Sequence, residues 1–164
     1  SRAGSQEDPR RMNVATDQQL ELMRSIPLFA EVGKRDLKRL PESAVVRQYG
    51  PGDEIVEEGQ RGVGMFVIVQ GDVEATRPGT KVADLVPGTY FGELALFEDV
   101  PCNATVRAKT DVTCLVFRRW DFLAELRHEP TMAVQMLGTT IRRLRDTTEQ
   151  LVAAFNEKMD KLGK

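Results

Sequence analysis

Apolar and polar positions change period three times along this chain, and each change marks a new kind of element. Leu20, Met23 and Ile26 recur at helical spacing behind Thr16 and Gln19, a capping box, and predict a short helix broken by Pro27. Leu37 and Leu40 predict a second, ended by Pro41. From Ala44 the period shortens. Val45-Val46, Ile55-Val56, 65–69, Val73 to Ala75, Val82 to Leu85, Thr105-Val106 and 112–117 are short strand-like runs. Gly50-Pro51-Gly52-Asp53, 59–64, Gly71, Pro78-Gly79 and Pro87-Gly88 separate them as turns. Many short β runs at close spacing predict an antiparallel sandwich or barrel. The helical period returns after Trp120: one helix ends near His128, and another opens on Pro130. In the latter, Val134, Leu137, Ile141, Leu144, Thr148, Leu151, Phe155 and Leu162 follow an alternating three-four spacing, interrupted near Lys158 and Met159. Such a seam over about four heptads predicts a coiled-coil dimer; the alternative is one amphipathic helix packed on its own β layer.

Composition narrows the function. The 164 residues suit one domain with a sizeable core, and 23 basic against 25 acidic residues leave a net charge of -2, so no basic excess recommends nucleic acid. No apolar run is long enough to span a bilayer, and no signal peptide is visible. The two cysteines, Cys102 and Cys114, are expected to stay reduced in a cytoplasmic setting, with Cys114 a plain core residue. The first residue, Ser1, points to a fragment or processed chain, and 1–15, polar and without period, reads as disordered or tag-derived. One histidine, His128, cannot build a His-rich metal site and reads as a surface cap at a helix end. Neither a thiol nucleophile nor any other catalytic group is expected, and 59–64 is no P-loop, having no Gly-Lys-Ser/Thr.

The candidate chemistry lies in Phe91-Gly92-Glu93-Leu94-Ala95-Leu96-Phe97 and the following Pro101-Cys102-Asn103-Ala104-Thr105-Val106-Arg107-Ala108. A glycine lets backbone approach a ligand, a carboxylate accepts from sugar hydroxyls, and the next turn presents backbone N–H groups. Gly-Glu alone is equally well a buried turn with a solvated acid.

The longer string resembles the phosphate-binding cassette of the cyclic-nucleotide-binding domains, the family of the bacterial cAMP receptor protein and of the regulatory subunits of protein kinase A. The resemblance covers about residues 17 to 156, including Ser25-Ile26-Pro27-Leu28-Phe29 and Ile141-Arg142-Arg143-Leu144-Arg145-Asp146-Thr147-Thr148-Glu149. It implies a mainly β fold: an eight-stranded, jelly-roll-like β-roll over 44–118, with short N-terminal helices in 16–43 and C-terminal helices, including a long dimerisation helix, in 119–164. It implies a regulatory sensor that binds cAMP, or alternatively cGMP, through Gly92, Glu93, Leu94, Ala95, Cys102, Asn103, Ala104 and Thr105. Arg143 would approach Glu93 and the ribose, and Thr147 and Thr148 would meet adenine, one from each subunit of a homodimer. No other cofactor is implied.

One position departs. The family places an arginine against the cyclic phosphate where this chain has Cys102, which predicts weakened affinity unless Arg61 or Arg107 fills the role. Val63-Gly64 stand where the family often carries an acid, which predicts a looser hold of that turn on the cassette. A degenerate module of the same fold that docks or dimerises without nucleotide is the rival reading. A transcription factor truncated before its DNA-binding part is the third, since little chain follows the long helix.

Overall fold

The computed structural model describes residues 6–7, 17–78 and 80–163. Strand β1 (Gln6–Glu7) comes first, followed by helix α1 (Asp17–Ser25), a 3-10 turn at Pro27–Phe29 and helix α2 (Lys34–Arg39). A second 3-10 turn, Leu40–Ser43, holds Pro41 in its first turn, where a missing N–H is harmless. The roll itself is β2 (Ala44–Tyr49), β3 (Glu54–Val56), β4 (Gly64–Gln70), β5 (Val73–Arg77), β6 (Thr80–Leu85), β7 (Tyr90–Phe91), α3 (Leu94–Phe97), β8 (Thr105–Ala108) and β9 (Val112–Arg118). Helices α4 (Arg119–His128) and α5 (Pro130–Leu162) complete the chain.

The strands form two antiparallel sheets, ordered β1-β2-β9-β4-β7 and β3-β8-β5-β6. The expected eight-stranded roll is β2 to β9. Gln6 and Glu7 add to the free edge of β2 opposite Gln48 and Arg47, so these two residues depart from the disorder expected of 1–15. A sheet edge offers unpaired N–H and C=O groups to any passing chain. The proposed capping-box residue Thr16 lies outside the described residues.

Side-chain alternation on the two central strands explains why they read as continuous apolar runs. Met65 and Val67 of β4, with Leu115 and Phe117 of β9, face a core shared with Leu20, Met23, Ile26, Phe29, Leu37 and Phe122. Phe66 and Ile68, with Cys114 and Val116, face the other sheet and meet Val73, Ala75, Val106 and Ala108. Both faces are covered, so both parities must be apolar. Phe117 sits between Phe29 and Phe122, with ring centroids 6.2 and 5.0 Å away and tilted planes. Glu125, buried on α4, accepts from Arg39 at 3.0 Å and from the Ser43 hydroxyl at 3.1 Å, which ties α4 to the N-terminal turns.

Helix α5 buries apolar side chains in the core at its beginning, where Met132 and Met136 sit. Its 33 residues reach about 50 Å. Beyond Met136 the apolar seam residues Leu137, Ile141, Leu144, Leu151, Phe155 and Leu162 all lie exposed.

Candidate functional site

Strand β7 delivers the chain to the site with Phe91 stacked on Phe66, ring centroids 5.0 Å apart and planes 4° from parallel. The next residue must be glycine. Gly92 has φ +80, and a Cβ there would lie 2.6 Å from the Gly64 carbonyl oxygen. Glu93 then caps α3, whose Leu96 is fully buried and fixes this short turn to the helical core.

The turn at 59–62 is more than a turn. The Cys102 N–H donates to the Gln60 carbonyl at 2.8 Å, the Gly59 N–H donates to the Cys102 carbonyl at 2.9 Å, and Arg61 and Pro101 form an antiparallel bridge. A Cβ on Gly62 would come within 2.8 Å of Ala95 Cβ, so this loop lies directly on the cassette. Backbone pairing thus joins this loop to the cassette.

From the opposite side, Arg143 of α5 reaches the cassette. Its Nη1 donates to Glu93 Oε1 at 3.1 Å, its Nη2 to the Tyr90 carbonyl at 3.3 Å, and its guanidinium lies 5.0 Å from the Tyr90 ring centroid. Burial pushes the Tyr90 hydroxyl above its ordinary pKa, partly countered by the Arg143 charge.

These elements enclose a cavity of about 670 Å³, within the roughly 300–1,000 Å³ typical of small-molecule sites. Gly92, Glu93, Leu94, Ala95, Cys102, Asn103, Ala104, Arg143 and Thr147 line it. Two of the sequence candidates do not. Thr105 opens β8, and its Oγ1 accepts from the Glu58 N–H at 3.0 Å. Thr148 donates to the Leu144 carbonyl at 2.8 Å on the exposed part of α5, as threonines in helices commonly do four residues back. The Ala95 N–H is engaged by the Gly92 carbonyl at 3.2 Å.

The two arginines considered as replacements lie elsewhere. Arg61 pairs with Asp99 at 3.4 Å in solvent, and Arg107 pairs with Glu54 at 3.1 Å; neither lines the cavity. The arginine that does line it, besides Arg143, is Arg77. It escaped the sequence reading, as did Asp146, Gln150 and the apolar wall of Phe66, Val82 and Leu85. The signal for Arg77 lies in strand pairing. Strand β5 pairs with β8 as far as Thr76 opposite Thr105, so the next residue of β5 arrives beside the end of the cassette. Its Nε donates to the Asn103 carbonyl at 2.7 Å.

Burial raises the pKa of the Cys102 thiol and pushes that of Cys114 up to about 12, and both cysteines are free. Among the described residues no group of acids, histidines or cysteines could hold a metal ion, and no helix is long and apolar enough to cross a membrane. His128, at the end of α4, lies 3.2 Å from Asp36, away from the cavity.

The chain is similar to known proteins. Residues 46–129 match the family model of the cyclic nucleotide-binding domain. A cAMP-dependent protein kinase regulatory subunit from Yarrowia lipolytica is 33% identical over 90 residues, covering 54% of this chain and 24% of the relative. A cyclic nucleotide-gated potassium channel from Mesorhizobium japonicum is 32% identical over 123 residues, 75% of this chain and 34% of the channel. The chain thus spans well under half the length of these curated relatives. Among solved structures, the catabolite activator protein of Thermus thermophilus superposes with a TM-score of 0.70 at 28% identity, covering 76% of this chain and 61% of that one. A cyclic nucleotide-binding domain from Methylobacillus flagellatus gives 0.72 at 17% identity, over 85% and 86%, a likeness of fold. With the roll, the Phe91-Gly92-Glu93 turn and the matched family model in agreement, the chain belongs to the cyclic nucleotide-binding domain family.

Proposed function

We propose that this chain is the sensor domain of a regulatory protein and binds cAMP, with cGMP the competing ligand. The observation that carries the proposal is the Glu93–Arg143 pair, which joins α5 to the cassette across 50 residues at the wall of the cavity. Among the described residues the bond to Glu93 falls on Oε1, so the carboxylate keeps acceptor capacity for a ribose hydroxyl. A ligand that bridges the cassette and α5 would then be felt by the whole long helix. The reading is of binding without turnover, supported by the position of the one histidine against Asp36, outside the cavity. Two free thiols fit a cytoplasmic setting, and the net charge of -2 favours no nucleic-acid partner.

The domain works as a parallel homodimer in this proposal, with Leu137, Ile141, Leu144 and Leu151 of α5 meeting their copies. Their exposure along a helix whose buried residues are Met132 and Met136 is the support. Thr147 then contacts adenine within its own subunit, while Thr148, exposed in the seam, reaches the partner's site. Replacing both with alanine is expected to weaken cAMP by about 1–3 kcal/mol, the cost of buried base groups left unpaired. Titration calorimetry checks this, and a purine ligand lacking the exocyclic amine should lose less. Equal loss for both ligands would assign the threonines to helix packing.

Affinity is set low by Cys102, whose thiol offers one weak donor and no charge where an arginine would make two charge-assisted bonds. Cys102→Arg is expected to tighten cAMP about tenfold. The same observation favours the second reading, a nucleotide-free docking module, which no binding by either form would support.

A further inference from the structure

We propose that Arg77, at the end of β5, supplies the positive charge for the nucleotide phosphate that Cys102 does not. This rests on the reading of the cavity as a cyclic-nucleotide site. Among the described residues two arginines line that cavity. Arg143 is committed, with one terminal nitrogen on Glu93 and the other on the Tyr90 carbonyl. Arg77 is not. Its Nε is anchored on the Asn103 carbonyl at 2.7 Å, and among the described residues no carboxylate pairs with its guanidinium. An anchored Nε fixes the plane of the group and leaves both terminal nitrogens as donors, the fork that suits two oxygens of one phosphate.

The anchor point matters as much as the charge. Asn103 directly follows Cys102, so the guanidinium is held by the very segment in which the arginine is missing. The register of β5 on β8, Thr76 opposite Thr105, makes that placement a property of the sheet rather than of a loose side chain. The other charged groups lining the cavity are Glu93, neutralised by Arg143, and Asp146 on α5 beside Thr147. Arg61 and Arg107, by contrast, are spent on Asp99 and Glu54. Arg77 is exposed, so solvent screens its charge and its contribution is smaller than a buried arginine's.

The test is a set of calorimetric titrations of the whole chain with cAMP and with adenosine, which keeps base and ribose but carries no phosphate. Arg77→Gln is expected to weaken cAMP by about tenfold to a hundredfold while leaving adenosine within about twofold, since charge-assisted bonds to the phosphate are lost. Arg77→Lys should recover part of the loss. Cys102→Arg should restore cAMP in the Arg77→Gln background and gain at least about threefold more there than in the unmodified chain, because the two arginines serve one anion. Arg61→Gln, outside the cavity, should change nothing. Unchanged cAMP binding in Arg77→Gln, or equal losses for cAMP and adenosine, would overturn the assignment and leave the cyclic-nucleotide reading standing. Absence of cAMP and cGMP binding by the unmodified chain would overturn the assignment, and absence in Cys102→Arg as well would sink the cyclic-nucleotide reading with it.

Discussion

Glutamate at both Ile141 and Leu144 is expected to turn a dimeric protein into a monomer without unfolding the roll. The two side chains are 55% and 66% exposed on α5, well past Met136, where the helix leaves the core. In the single chain neither belongs to the buried core. In a parallel pair of helices each would sit in the seam, where burying an apolar side chain is worth about 1.5–3 kcal/mol. An unpaired carboxylate in its place costs several kcal/mol of desolvation, counted twice by symmetry. Sedimentation at tens of micromolar should show the unmodified protein as a dimer and the double variant as a monomer with the same thermal midpoint for the roll. A monomeric unmodified protein at that concentration would remove the dimer from the account. Within the monomeric variant, Thr148→Ala should no longer affect cAMP, whereas Thr147→Ala should.

Loss of Glu93 should have the largest effect on the ligand. In Glu93→Ala, cAMP binding is expected to fall by about a hundredfold or more. The carboxylate is 28% exposed and already carries a 3.1 Å bond from Arg143, so removing it takes away an acceptor for the ribose and leaves Arg143 without its counter-charge. Hydrogen bonds to charged groups contribute about 1.5–3 kcal/mol each, and two such effects act together here. A matched experiment separates ribose recognition from general damage. The unmodified chain should prefer cAMP over its 2′-deoxy analogue, and that preference should vanish in Glu93→Ala. A preference that persists would place the ribose contact elsewhere, and Glu93 would be left as an anchor for α5.

The parts of this architecture written in local pattern could be read from the sequence, and the parts decided by pairing could not. Alternating and continuous apolar runs gave the strands because both faces of β4 and β9 are covered, Met65 and Val67 on one side, Phe66 and Ile68 on the other. Gly92 was legible because its role is steric: only glycine tolerates φ +80 with a carbonyl oxygen 2.6 Å from where Cβ would stand. The three-four spacing of α5 announced an apolar seam, which the structure leaves exposed. Arg77 was invisible for the opposite reason. It sits 26 residues before Asn103, and only the register of β5 on β8 brings the two together. The stitching of 59–62 onto the cassette was missed likewise, because its hydrogen bonds are made by backbone groups of Gly59, Gln60 and Cys102, about 40 residues apart in the chain, and no side chain announces the pairing. Gln6 and Glu7 carry no apolar period at all, and their pairing follows from the open edge of β2.

In this proposal the cavity between the cassette and α5 takes up a cyclic nucleotide. Calorimetric titration of the unmodified chain with cAMP and with cGMP tests it most directly. Saturable binding of one nucleotide per chain is expected, with cAMP preferred, an affinity below that of the Cys102→Arg variant, and loss in Glu93→Ala. No binding of either nucleotide, by the unmodified chain and by Cys102→Arg alike, would contradict it.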